Sequence, residues 1–314
     1  MAGVFWASDF HIEGGRVKVR KTGADLAIDR ALLHECLVWF VYYVPVRARA
    51  TWTRLTRPGP RVWFTPDQPR PWYLVWAAVV WSGARIAASP DKADVAMFFE
   101  DVATGAGPNA GPDRRFNYGC TDVTKSHVAR VFEDVFGYPL AVDPTTVSGP
   151  VVEKGEDNGV HDGRIVQAPC PRLPHKTYQR LIDNSSAFLG GDYVDDLRTP
   201  CVGGEPVLVF IKRRPVADRF SNHNSSVSLT TPEAVFSPGE IETIGRFCAA
   251  MNMDWGGLDI LRDRESGRLY VVDVNKTDMG PPIALPLSAK LAATRLLADA
   301  FMRLISSEPV KVTA

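Results

Sequence analysis

Two aspartates in one short segment constrain this chain more than any other feature. Residues 259–282 read DILRDRESGRLYVVDVNKTDMGPP, two β-rich runs near 258–264 and 268–275 around Glu265-Ser266-Gly267. A three-residue turn with glycine last is a favoured hairpin connection. Pairing symmetrically about Ser266 sets Asp259 directly opposite Asp273, and Asn275, two residues on, shares their face. Opposed side chains hold their Cβ atoms about 5 Å apart, and like charges there repel. Something must compensate the two carboxylates. A hard divalent cation such as Mg²⁺ does so, because it takes oxygen ligands and usually arrives with substrate phosphates. The bland alternative is an exposed hairpin with solvated aspartates, and geometry alone does not choose between the two.

Residues of the opposite charge lie upstream. Val151-Val152-Glu153-Lys154 is a short strand carrying a lysine; GEDNGVHDG (155–163) follows, then a second strand, RIVQAP. Glycines allow close backbone approach and free N–H groups bind anions, so such a loop can fold over phosphates. Lys154 would add a point charge. The same residues are also ordinary hairpin-turn chemistry, and His161 reads as a turn residue rather than a base. Next come Asp195-Asp196-Leu197-Arg198, a Gly203-Gly204 hairpin, and VLVFIKRRPVADRF (207–220). Arg198, Lys212, Arg214 and Arg219 thus fall on or beside adjacent short strands. Each alone is an ordinary surface residue; together with the acidic hairpin they suggest phosphoryl chemistry, since arginine forks suit phosphate oxygens and developing negative charge.

Charge and composition narrow the classes. The 36 Lys+Arg balance 36 Asp+Glu, which argues against a nucleic-acid coat or a polybasic membrane protein. At 314 residues and 45% hydrophobic, the chain can build full cores, and roughly 100–200 residues per domain gives two domains or three small lobes. Five scattered cysteines without a C-x-x-C pair predict neither a disulfide framework nor a zinc site, and a reducing cytoplasm is expected. No signal peptide is expected. The longest apolar run, Cys36 to Val46, is broken by Pro45 and falls short of the ~20 residues of a membrane span, so no transmembrane segment is expected.

Residues 24–44 predict a helix ending before Pro45, although its aromatic, β-branched second half also tolerates a strand. Val46 to Pro66 carries Arg47, Arg49, Arg54, Arg57 and Arg61 and no acid. A solvated connector is the simpler reading; an arm for an anionic partner is the alternative. RVWFT, PWYLVWAAVVWSGA, ARIAAS and DVAMFFED then suggest a small α/β domain without a G-x-G-x-x-G site. Thr104 to Asp113 reads as a boundary loop. A helix opens at Thr124-Lys125-Ser126, capped by Thr124 or Asp122, and stops at Gly137; others are predicted at about 238–252 and 286–306.

From about Asp122 onward the order of these motifs resembles the ATP-grasp superfamily, which includes D-alanine–D-alanine ligase, glutathione synthetase and the ligases adding glutamate to protein tails. The resemblance implies an α/β fold of two lobes clasping ATP after a small leading domain. The implied segments are 1–60, 61–115, 116–180 and 181–314. Lys125 and Lys154 resemble the phosphate lysines, and Gly155, Gly159 and Gly163 the flexible glycine loop. TYQRLID resembles the hinge strand, with adenine expected at the backbone of Arg180 and Leu181, Gln179 alongside, and Asp183 at the ribose. Lys212 joins the nucleotide-binding set, DDLR matches the D-x-R element of the glutamate-adding branch, and Asp259, Asp273 and Asn275 match the metal ligands.

Two departures stand out. The middle metal ligand is usually Glu, and Asp273 is one methylene shorter. Gly257 sits where the D-alanine ligases carry an arginine that stabilises transferred phosphate, leaving that work to Arg198, Arg214 or Arg219. The resemblance implies ATP and Mg²⁺ as cofactors and small-molecule or peptide carboxylate and amine substrates. Charge balance leaves no nucleic-acid partner expected, and residues 1–60, which match no part of the superfamily, are expected to serve a homodimer or an anionic partner. A carboxylate–amine (or thiol) ligase is the favoured expectation; an ATP-grasp kinase and a nucleotide-binding protein without turnover are the alternatives. Lys276-Thr277-Asp278-Met279 and residues 222–228 border the substrate end, and their mixed polar groups select no compound.

Overall fold

The computed structural model describes residues 6–21, 23–156, 162–186, 191–221 and 223–307. In chain order its elements begin β1 (Phe10–Glu13), β2 (Arg16–Val19), β3 (Asp25–Ala27), α1 (Arg30–Thr56), β4 (Arg61–Pro66) and α2 (Leu74–Ser82). There follow β5 (Arg85–Ile86), β6 (Val95–Phe99), β7 (Arg115–Phe116), α3 (Lys125–Phe136), β8 (Gly149–Gly155), β9 (Arg164–Ala168) and β10 (Lys176–Arg180). The rest are β11 (Tyr193–Val202), β12 (Glu205–Pro206), β13 (Val209–Pro215), β14 (Ser226–Thr230), α4 (Pro238–Ala250), β15 (Trp255–Arg262), β16 (Leu269–Asn275) and α5 (Leu287–Ser306). The chain divides into two compact units: residues 1–101, 107–116 and 279–314 form one, and 102–106 with 117–278 the other.

In the first unit, β4 to β7 make a parallel sheet in the order β5-β4-β6-β7. Helix α2 is buried from Leu74 to Val79 and ends at Gly83, whose φ of +89° only glycine adopts without strain. Strand β6 is buried at every position, as both faces of a parallel sheet demand.

Helix α1 corrects the sequence reading. It starts only at Arg30, because Asp25–Ala27 of the predicted 24–44 helix pair with β2 as β3; the Asp29 side chain accepts from Leu32 N at 2.8 Å, and the helix runs through Pro45 to Thr56. Arg47, Arg49 and Arg54 therefore lie on a helix and not on a connector. An interior proline costs about 3 kcal/mol. A buried stripe runs straight across it, Tyr42, Val46, Ala50 and Thr53, at helical spacing. Each large apolar member contributes about 1.5–3 kcal/mol, and Tyr42 Oη also bonds Thr294 Oγ1 on α5 at 2.7 Å. Packing outweighs the local penalty.

The second unit holds two antiparallel sheets. A small one has the order β10-β8-β9, and a six-stranded one runs β14-β13-β11-β15-β16 with β12 added to β11. Helix α3 begins where predicted: Thr124 is the N-cap and Gly137, in the left-handed region, the stop. It packs on β16 and α4, with Phe132 stacked on Phe136 at 4.5 Å and on Tyr270 at 5.7 Å.

The β15–β16 hairpin places Asp259 opposite Asp273, but not by the expected route. Near the turn, Arg262 faces Leu269 and Asp263 N donates to Arg268 O at 2.9 Å, so the loop is one residue longer than the symmetric reading required. That register alone would put Val272 opposite Asp259. A bulge between Asp259 and Ile260 inserts Val272 as the extra residue, and from there Asp259 faces Asp273, Leu258 faces Val274 and Gly257 faces Asn275.

Asn117 secures the start of this hairpin. It is fully buried with φ +58°; its Oδ1 accepts from Asp254 N and Trp255 N at 2.8 Å each, and its Nδ2 donates to Trp255 O at 2.7 Å. Asn117→Ala strands buried amides at the head of β15. It is expected to lower the unfolding free energy of this unit by about 3 kcal/mol, read from urea curves; a change within experimental error would refute the clamp.

Candidate functional site

Strand register alone brings most of the charged residues to one face. Opposite residues in an antiparallel ladder share a side. Asp196 faces Lys212, Val194 faces Arg214, Arg198 faces Asp259 and Asp259 faces Asp273. Thus β13, β11, β15 and β16 present Lys212, Arg214, Asp196, Arg198, Gly257, Asp259, Asp273 and Asn275 together. The opposite face carries Leu197, Leu258, Ile260, Val271 and Val274, all part of the core.

On the polar face every carboxylate meets a cation. Arg198 Nη1 donates to Asp259 Oδ2 at 2.9 Å, and its Nη2 pairs with Asp278. Lys212 Nζ lies 3.7 Å from Asp259 Oδ1. Lys125, in the first turn of α3, reaches Asp273 Oδ1 at 2.7 Å. Arg214 pairs with Asp196 and donates to Asn224 Oδ1 at 2.9 Å. Lys154 on β8 lies within the field of Asp273, Lys125 and Asp259.

Burial governs the protonation equilibria, with charge partners deciding the outcome. Burial acts to raise the Asp259 carboxyl, but Arg198 and Lys212 overrule it and hold the group well below the usual range. Burial would lower Arg198, whereas Asp259 and Asp278 hold it above its ordinary value. At Asp278 burial wins against Arg198, and the carboxyl is pushed up to about 6. The Lys154 and Lys212 ammonium groups are lowered by burial, against the pull of Asp273 and Asp259 respectively.

These residues fit a magnesium nucleotide in donor type. Asp259 Oδ1 and Asp273 Oδ1 are buried and, among the described residues, accept no hydrogen bond of good geometry; Lys212 and Lys125 respectively approach them. Two hard carboxylate oxygens are the donors Mg²⁺ takes. Asn275 is partly committed, since its Oδ1 accepts from Thr277 N at 2.8 Å and Thr277 Oγ1 at 3.1 Å. Among the described residues no three His, Cys, Asp or Glu side chains gather as a metal cluster.

The remaining expected residues lie elsewhere in the same unit. Gly155 N donates to Asp162 Oδ1 at 2.8 Å, and a Cβ on Gly155 would sit 2.8 Å from Asp162 Oδ2. Gly163 stands against the Phe220 ring. Gly159 and His161 lie outside the described residues. On β10, Gln179 is buried and its Nε2 finds no acceptor; Arg180 N already donates to Leu140 O at 2.9 Å, and Leu181 follows directly. Asp183 Oδ1 accepts from Ser185 N at 3.0 Å. Arg219 binds Ile182 O at 3.0 Å and Asn184 Oδ1 at 2.9 Å, away from the carboxylate row.

The sequence put Asp278 at the substrate end and Asp196 in the D-x-R element, but not their ion pairs with Arg198 and Arg214. The signal for Asp278 was Gly257: a strand residue without a side chain, beside buried charge, leaves room for another group.

No family model and no curated protein matches the chain. Solved structures of ATP-grasp ligases do. ATP-grasp ligase PsnB complexed with minimal precursor shares 14% identity at a TM-score of 0.43, over 61% of this chain and 63% of PsnB; the chain thus spans less than two thirds of that protein's length. A RimK-domain ATP-grasp protein from Sphaerobacter thermophilus DSM 20745 shares 12% identity at 0.44, over 77% of this chain and 99% of the other. L-amino acid ligase from Bacillus licheniformis shares 10% at 0.47, over 80% and 75%. Such likeness concerns the path of the chain and does not extend to substrate or activity.

The shifted carboxyls make a signed prediction for apo protein in EDTA. Asp259, depressed on folding, contributes stability above its unfolded value of about 3.9, and that contribution is lost as pH falls through lower values. Asp278, raised to about 6, favours the folded state below pH ~4, and its contribution declines as pH rises to about 6. Urea midpoints measured across pH 4–6 should show that decline in wild type, and Asp278→Asn should flatten it while leaving the acid-side loss. An unaltered slope in the variant refutes the assignment.

Proposed function

We propose that this chain is an ATP- and Mg²⁺-dependent ligase that activates a carboxylate as an acylphosphate for attack by an amine (or thiol), releasing ADP and phosphate. The observation that carries the reading is the ionic face itself. Burying charges costs several kcal/mol per ion even when they are paired, and apolar residues would stabilise a sheet better. A face that keeps Lys125, Lys154, Arg198, Lys212, Asp259 and Asp273 together at that cost is suited to exchanging its internal pairs for a charged ligand.

In this reading Asp259, Asp273 and Asn275 hold the metal, which would neutralise charge as the γ-phosphoryl moves. Lys125 turns from Asp273 to phosphate oxygens, and Lys154 adds its charge there. Gln179, with its unsatisfied Nε2, lies at the adenine end beside Arg180 and Leu181, with Asp183 at the ribose. Gly155, Gly159 and Gly163 allow the loop to approach the triphosphate. Arg198, Arg214 and Arg219 act on the transferring phosphoryl and the acceptor carboxylate. The carboxylate oxygen bonds to phosphorus as ADP leaves; the amine nitrogen then bonds to the acyl carbon, phosphate departs, and the nitrogen gives up a proton. No protein nucleophile is needed. Small-molecule or peptide substrates and a homodimer through residues 1–60 belong to this proposal, as does the division into segments 1–60, 61–115, 116–180 and 181–314. A cytoplasmic setting belongs to the proposal as well. No helix among the described residues is long and apolar enough to cross a membrane.

The test is incubation with MgATP, a panel of carboxylates and hydroxylamine. A hydroxamate formed with ADP supports acylphosphate chemistry. Phosphorylated product without hydroxamate favours a kinase, and nucleotide binding with no ADP across the panel favours a binding protein; either outcome overturns the ligase. Asp259→Asn and Asp273→Asn are each expected to weaken MgATP binding by at least about tenfold, measured by titration calorimetry.

A further inference from the structure

Asp278 lies just beyond β16 and is 1% exposed, although it carries a carboxylate. Its space comes from Gly257. A Cβ built on Gly257 would fall 2.6 Å from both Cγ and Oδ1 of Asp278, closer than any carbon tolerates. The carboxylate therefore occupies the volume that a side chain on β15 would fill, next to Asp259 in the strand. From there it grips Nη2 of Arg198, while Nη1 of the same guanidinium donates to Asp259 Oδ2 at 2.9 Å. Both ends of the fork are held, and the guanidinium plane has one orientation. An arginine anchored at one end only would retain several rotamers, whereas a planar fork fixed at both Nη atoms loses little further freedom when it meets an anion.

We infer, on the reading that this face binds a magnesium nucleotide, that Asp278 is a positioning residue: seated in the space left by Gly257, it fixes the direction in which Arg198 meets the transferring phosphoryl group. Asp278 touches neither nucleotide nor acceptor in this account and acts through Arg198. Its other oxygen, Oδ2, is buried and accepts no hydrogen bond among the described residues, so Arg198 is its principal anchor. Gly257 is the second half of the device, because any side chain there would displace the carboxylate. The arrangement puts a cation at the centre of the face by way of β11 instead of from the Gly257 position itself.

The experiment compares the binding of MgADP alone with MgADP plus aluminium fluoride, a mimic of the transferring phosphoryl, to the full chain. A positioning role predicts that Asp278→Asn keeps MgADP affinity within about twofold but weakens the aluminium fluoride complex by about tenfold or more. Equal losses in both complexes mark a purely structural role and overturn the proposal, as does no loss in either. Gly257→Ala keeps every charge and should give the same selective loss by displacing the carboxylate. In an Asp278→Ala background the added methyl should cost no further melting temperature; a full additive cost would overturn the claim that the two share one space. A readout free of nucleotide is the NMR signal of the Arg198 Nη protons in ¹⁵N-arginine-labelled apo protein. It should show hindered rotation in wild type and free rotation in Asp278→Asn, and hindered rotation in both would overturn the proposal. If wild type binds no MgADP, the nucleotide reading falls and takes the phosphoryl role with it. If wild type binds both ligands and Asp278→Asn loses neither, the positioning claim falls alone.

Discussion

The structure of the second unit depends on how two like charges are kept side by side. Asp259 and Asp273 face each other across a strand pair, where their mutual repulsion is strongest and least screened. The fold answers with cations from three directions: Arg198 and Lys212 from neighbouring strands of the same sheet, and Lys125 from the start of a helix. Those positions are not independent. Lys125 reaches Asp273 only because Thr124 and Gly137 fix where α3 starts and stops, and because Phe132 seats that helix on β16 through Tyr270. Charge compensation and core packing thus share one helix.

The sequence conveyed the face more fully than the internal pairing. Strand alternation set Asn275 on the side of Asp273, and Asp259 does face Asp273, but through a longer loop and a compensating bulge instead of the hairpin symmetry the sequence suggested. What the local pattern did not hold was the partner of each charge. Arg198 meets Asp278 because a gap at Gly257 admits the carboxylate, and such a gap depends on a residue far away in the sequence. Lys212 and Arg214 read as a phosphate set, yet each already holds an aspartate. Long-range ion pairs leave no periodic trace.

The same contrast appears in α1. Proline is the strongest local stop signal for a helix, and the local rule put the end before Pro45. The helix continues because its buried stripe, Tyr42 to Thr53, gains more from packing than the proline forfeits. The predicted end of α3 at Gly137 matched because there the backbone conformation, a positive φ, and the residue type state the same thing. Local rules held where no tertiary contact opposed them.

Val272 gives the hairpin a property of its own. On the turn side of this residue, Val271 faces the core; on the site side, Val274 does, three positions later instead of two. The strand therefore changes phase once, midway along its length. The loop end and the charged end keep separate counts of inside and outside, and the register that sets Asp273 against Asp259 is the one established after the bulge, not the one that leaves the turn.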